Sequence, residues 1–111
     1  VKTVCIYIEG GGDSRIQQKE CAEGLRKFLK KAGFSNTMPK ITACGARTTA
    51  LRMFSIAISQ GETAFLLVDS EAPVNLVYKQ GEFPAWQPWA HLEKNEGKHW
   101  QKPENVPSRE V

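Results

Sequence analysis

Three carboxylates of this chain have the type and spacing to do chemistry: Glu9, Asp69 and Glu71. Glu9 ends the apolar run TVCIYI and is followed at once by Gly10, Gly11 and Gly12. Asp69 and Glu71 end a second apolar run, in the segment FLLVDSE. Acids at strand ends often only cap helices or face water. Brought together they are costly, because two carboxylates about 4 Å apart repel by roughly 4 kcal/mol at an effective dielectric of about 20. Such a cluster needs a bound proton or a cation. Oxygen donors with no His or Cys beside them suit Mg²⁺ or Mn²⁺. Mg²⁺ keeps part of its water shell and takes substrate phosphate, so this set would support phosphoryl or phosphodiester transfer.

The residues around the acids each fit two roles. Gly10–Gly12 could turn backbone N–H groups toward a phosphate, or could simply permit a tight strand-to-helix turn. Asp13 could act with Glu9, or could favour the positive end of the following helix. Arg47 could grip a substrate phosphate bidentately, or could pair with one of the acids.

Position depends on the elements that carry these residues. Residues 3–8 are β-branched and aromatic-rich with apolar side chains on both faces, which predicts a strand buried on both sides. Ser14 followed by Gln17 reads as a capping box. Cys21, Ala22, Leu25, Phe28, Leu29 and Ala32 then recur at helical spacing, and Gly33 supplies a stop, so a helix is expected over about residues 14–32. Lys40–Cys44 reads as a second strand. Thr48 or Thr49 would cap a second helix, with Leu51, Met53, Phe54, Ala57 and Ile58 as its apolar positions and Gly61 as its end. Ala64–Val68 reads as a third strand, again buried on both faces.

The order β-α-β-α-β with short links predicts parallel strands joined by right-handed crossovers, a Rossmann-like three-layer α/β fold. With strand order 2-1-3, Glu9 and Asp69 would flank the point where strand order reverses, the place where such sheets bind ligands. Arg47 would lie on the same edge. This core is expected over 1–75. A three-stranded parallel sheet has uncovered edges. The tail, a partner protein, a second copy of the chain or further strands beyond Val111 would have to cover them. The last fits best, so the domain is expected to be incomplete at its C-terminus.

Residues 76–111 differ in character. Four of the six prolines and all three tryptophans fall in 82–111, with a short helix expected over about Ala85–Lys94 and Pro88 in its first turn. Trp86, Trp89 and Trp100 together with Lys94, Lys98 and Lys102 have the aromatic-plus-basic make-up of a strand-binding surface. The same tryptophans would equally serve to pack the tail. His91 and His99 have no Cys or His at ligand spacing and read as surface residues.

Composition narrows the class. With 111 residues, 41% hydrophobic and 24% charged, the chain has the make-up of one small globular domain. A net charge of +3 permits a nucleic-acid partner without requiring one, and Arg26, Lys27, Lys30 and Lys31 also read as a solvated helix face. No apolar run reaches the roughly 18 residues of a membrane span. The start does not have the layout of a signal peptide. Cys5, Cys21 and Cys44 have no metal-type spacing, and their odd count fits the reducing cytoplasm. Val1 in place of an initial Met predicts a processed chain or a fragment.

The pattern strand–Glu9–Gly10–x–x–Asp13, followed two units later by strand–Asp69–x–Glu71, resembles the Toprim catalytic domain of topoisomerases, primases and related nucleases. More closely, IEGGGDS, ACGARTTA and LLVDSEAP are similar to a Toprim-like family of uncharacterised bacterial proteins of mobile and defence loci. The likeness covers about residues 3–75. It implies that Glu9 is the general acid/base and that Asp69 and Glu71 hold Mg²⁺, with Glu71 standing where the family usually has Asp. It also implies a metal-dependent nuclease or nucleotidyl-transfer activity. Two other classes stay open: a catalytically silent Toprim-like interaction domain, and a receiver-like phosphoacceptor module. The receiver reading lacks adjacent acids after the first strand and a later strand-end Lys.

Overall fold

The structure is a computed structural model that describes residues 3–69, 88–97 and 100–103. The chain divides into two units, Val1–Val68 and Asp69–Val111. The boundary expected near residue 75 lies outside the described residues.

The first unit is built from β1 (Val4–Ile8), α1 (Arg15–Lys31), β2 (Lys40–Ala43), α2 (Arg47–Ser59) and β3 (Thr63–Leu67). The three strands form one parallel sheet in the order β2-β1-β3. This is the α/β, Rossmann-like arrangement expected. The register sets Ile6 beside Ile41 on one side and Phe65 on the other, and Ile8 beside Ala43 and Leu67. Paired residues share a face, so Ile41, Ala43, Ile6, Ile8, Phe65 and Leu67 line a single side of the sheet.

That side meets α1, but only in part. Ile8, Ala22, Ile41 and Ala43 form a buried cluster, with Ile6, Cys21, Leu25 and Leu29 packed around it. α1 therefore covers β2 and β1. Phe65 and Leu67 on the same face stay 58% and 53% exposed. The expectation that strand 3 is buried on both faces is corrected here: among the described strands β3 lies at the edge, and the helix that covers its neighbours on this side does not cover it. Ala64 and Leu66 point to the other side and are half-buried. α2 packs on β3 and β1, burying Ala50, Leu51, Phe54 and Ala57.

Local signals explain the helix ends. Ser14 caps α1, its Oγ accepting from Gln17 N at 3.4 Å. At the other end Phe34 N–H donates to Leu29 O and Gly33 N–H to Lys30 O, both at 3.1 Å. This is the Schellman closure that a left-handed residue allows, and Gly33 has φ 102°. α2 departs from expectation at its start. It begins at Arg47, with Ala46 in the capping position and no side-chain cap. Thr48 and Thr49 thus lie within the first turn. The cause is Gly45, which turns the chain so sharply that the helix begins two residues later.

In the second unit, α3 spans Pro88–Glu96, with Pro88 at its first position; residues 85–87 of the expected helix lie outside the described residues. Proline is tolerated there because the first N–H of a helix has no partner within it. Leu92 and Trp100 are buried, and Trp89 and His91 are half-buried. Trp86, Lys98 and His99 lie outside the described residues. No helix among the described residues is long and apolar enough to cross a membrane.

Candidate functional site

The site is assembled at the carboxyl end of β1, the central strand. Glu9 is the first residue past that strand, and its N–H donates to Leu67 O at 3.0 Å, which extends the β1–β3 ladder by one step. Its backbone is therefore fixed beside the end of β3. On the opposite side, Cys44 N–H donates to Ile8 O at 2.9 Å. Glu9 sits between the ends of both neighbouring strands, where the chain departs left and right. This is the switch point at which open α/β sheets bind ligands.

Among the described residues, Arg47 meets Glu9 there. Arg47 Nε lies 3.4 Å from Glu9 Oε2, and the two side chains are only 13% and 22% exposed. Arg47 is the first residue of α2, so the pair bridges the end of one strand and the start of a helix anchored on the next. Of the two roles open to Arg47, pairing with an acid is the one the structure displays.

The glycine run is fixed by contacts rather than left as an open loop. Gly10 N–H donates to Gly45 O and Gly45 N–H to Gly10 O, each at 2.9 Å, an antiparallel bridge appended to a parallel sheet. The Gly10 N–H is thus already engaged. A Cβ on Gly45 would stand 2.5 Å from Gly12 O, and one on Gly11 2.4 Å from Gln18 Cα. Both have positive φ, 74° and 84°. Gln18 Nε2 holds Gly12 O at 2.8 Å, tying the loop to the first turns of α1. From the sequence Gly45 reads only as the turn after the second strand, and Gln18 is not singled out. The signal for Gly45 was its place at the end of the strand adjoining the one that runs into Gly10. Gln18 had no local signal.

The other expected residues are distributed as follows. Asp13 is exposed, one residue before the Ser14 cap and outside the first turn of α1. Asp69, exposed, begins the second unit two residues past β3. Glu71 lies outside the described residues. Among the described residues no group of three His, Cys, Asp or Glu side chains lies close enough to hold a metal ion. The structure therefore brings Glu9 and Arg47 together, with Gly10–Gly12 and Gly45 as their frame.

Two groups beneath this frame have perturbed acidities. Burial pushes the Cys44 thiol up, against a smaller downward pull from the Ile8 backbone. Burial likewise raises the Tyr7 hydroxyl, with help from neighbouring Cys5 and Glu62. Both groups are neutral at physiological pH, so neither is an activated nucleophile.

The fold and site define an α/β protein with a half-buried acid–base pair at the switch point of a parallel sheet. No family model, no curated protein and no solved structure matches the chain.

Proposed function

We propose that the chain is a Toprim-like, metal-dependent phosphodiester enzyme, a nuclease or nucleotidyl transferase of the cytoplasm that serves a defence or mobile-element system. The observation that carries this reading is Glu9, held half-buried at the carboxyl end of the central strand with Arg47 3.4 Å away. A carboxylate in this place can exchange a proton with a leaving or attacking oxygen, and a guanidinium beside it can offset the charge of a phosphate.

The donor set fits a hard divalent cation. Asp69 and Glu71 follow β3 in the chain and offer oxygen ligands only, the set that Mg²⁺ and Mn²⁺ take. Such an ion, when bound, would offset the negative charge of a phosphate under attack. Glu9 in this scheme transfers the proton, Arg47 orients the phosphate, and the bridged glycines keep both in register.

The test is cleavage of supercoiled DNA and of labelled RNA by the full chain with Mg²⁺ or Mn²⁺. Glu9→Gln and Asp69→Asn should each abolish it. Cleavage that survives both substitutions, or its absence from the wild type with either ion, overturns the proposal. Labelling of Asp69 by acetyl phosphate would point to the receiver-like class in its place.

A further inference from the structure

α1 carries a charge pattern that the Glu9–Arg47 pair does not explain. It holds Arg15, Lys19, Arg26, Lys27, Lys30 and Lys31 against two acids, Glu20 and Glu23. The whole chain has a net charge of only +3, so its positive charge is concentrated on this helix. At about 100° per residue, Arg15, Lys19, Arg26 and Lys30 fall within roughly 60° of one another, along about 22 Å of helix. They form a continuous ridge on one flank, and Lys27 and Lys31 widen it at the C-terminal end.

The ridge is not neutralised from within. Arg26 pairs with Glu23, and among the described residues no carboxylate pairs with Arg15, Lys19, Lys27, Lys30 or Lys31, all of which are exposed. A solvated face normally sets acids and bases alternately four residues apart. Lys19, Glu23 and Lys27 follow that pattern, but Arg26 and Lys30, and Lys27 and Lys31, are like charges at the same spacing, which disfavours the helix by a few tenths of a kcal/mol per pair. An external polyanion would relieve that repulsion.

We propose that this flank of α1 binds a nucleic-acid backbone. Each strand of a duplex carries a phosphate about every 3.4 Å of helix axis, so the ridge spans roughly six of them. A membrane surface fits less well, because an interfacial helix needs a free apolar face. The apolar face of α1 is committed to the sheet. Its two outlying apolar residues, Ile16 and Phe28, are 72% and 65% exposed but lie about 120° apart around the helix. The ridge begins at Arg15, just past the glycine loop that leads out of Glu9. A strand lying along it would therefore run to the Glu9–Arg47 crevice. The inference stands apart from the catalytic reading, since binding requires neither a metal nor Glu9.

The test is fluorescence anisotropy of the full chain with a labelled DNA duplex, and with single-stranded DNA and RNA of the same sequence, in the presence of EDTA. The wild type should bind at least one of them with a log–log salt slope of about −3 to −4. Lys19→Glu with Lys30→Glu should weaken binding at least tenfold and bring the slope about two closer to zero. Lys19→Gln with Lys30→Gln should act in the same direction and guards against a folding defect, which circular dichroism checks. Lys40→Glu with Arg52→Glu makes the same change in net charge elsewhere and should cost much less. Equal losses in the two charge-reversed proteins, no binding by the wild type at low salt, or binding to phosphatidylserine vesicles alone would each overturn the proposal.

Discussion

Replacing Arg47 by Met removes the counter-charge of Glu9 and keeps most of the side-chain bulk. The separation of 3.4 Å corresponds to an attraction of about 5 kcal/mol at an effective dielectric of 20 and about 1.2 kcal/mol in bulk water. With side chains 13% and 22% exposed, the pair lies between these limits, and desolvation of both ions offsets part of the gain. The expected coupling is therefore about 1.5 kcal/mol. Arg47→Met alone should destabilise the chain by about 2 kcal/mol, since it also strands a half-buried carboxylate. Glu9→Gln with Arg47→Met should cost less than the sum of the single changes. Urea unfolding of the four proteins at neutral pH gives the coupling directly. A coupling below about 0.3 kcal/mol, or one of opposite sign, would refute the inference that this pair organises the crevice.

Further predictions concern the frame of the site. Gly45→Ala forces a side chain to within 2.5 Å of Gly12 O at φ 74°, and should cost at least about 2 kcal/mol in a denaturant titration. Gly24→Ala, inside α1 with no atom within 4 Å of the new methyl, should instead raise stability by about 0.5–1 kcal/mol. The raised Cys44 and Tyr7 groups predict an alkaline limit to stability. Below about pH 8.5 both are protonated, folded or unfolded. Above it the unfolded chain gives up these protons first, so stability falls as pH rises toward the folded values. Thermal melts across pH 7–10 should show this fall, and Cys44→Ala should flatten it.

Much of this architecture was legible because its signals are local. The capped apolar stripe of α1, the glycine stops at Gly33 and Gly61, and the β-branched run Val4–Ile8 each report their element without reference to the rest of the fold. Strand order 2-1-3 was one that parallel strands and short crossovers allow, and the structure has it. What escaped was tertiary. The composition of β3 reads as a strand buried on both faces, yet Phe65 and Leu67 are exposed because cover depends on the reach of α1, which β3 does not encode. Thr48 and Thr49 looked like caps because their side chains suit that role, but the turn at Gly45 starts α2 before them. Glu9 was legible as the acid at a strand end, and Arg47 as a cation on the same edge. Their contact, and the Gly10–Gly45 bridge that enforces it, arise only when neighbouring strands are in register.

The central claim is the proposed metal-dependent phosphodiester chemistry, with Glu9 as the proton-transfer group and Asp69 and Glu71 as ligands of the divalent cation. Calorimetric titration of Mn²⁺ into the full chain and its Asp69→Asn variant tests it most directly. The claim predicts one saturable site per chain, lost in Asp69→Asn and still present in Arg47→Met. Unchanged binding in Asp69→Asn, or no saturable binding by the wild-type chain, would contradict it.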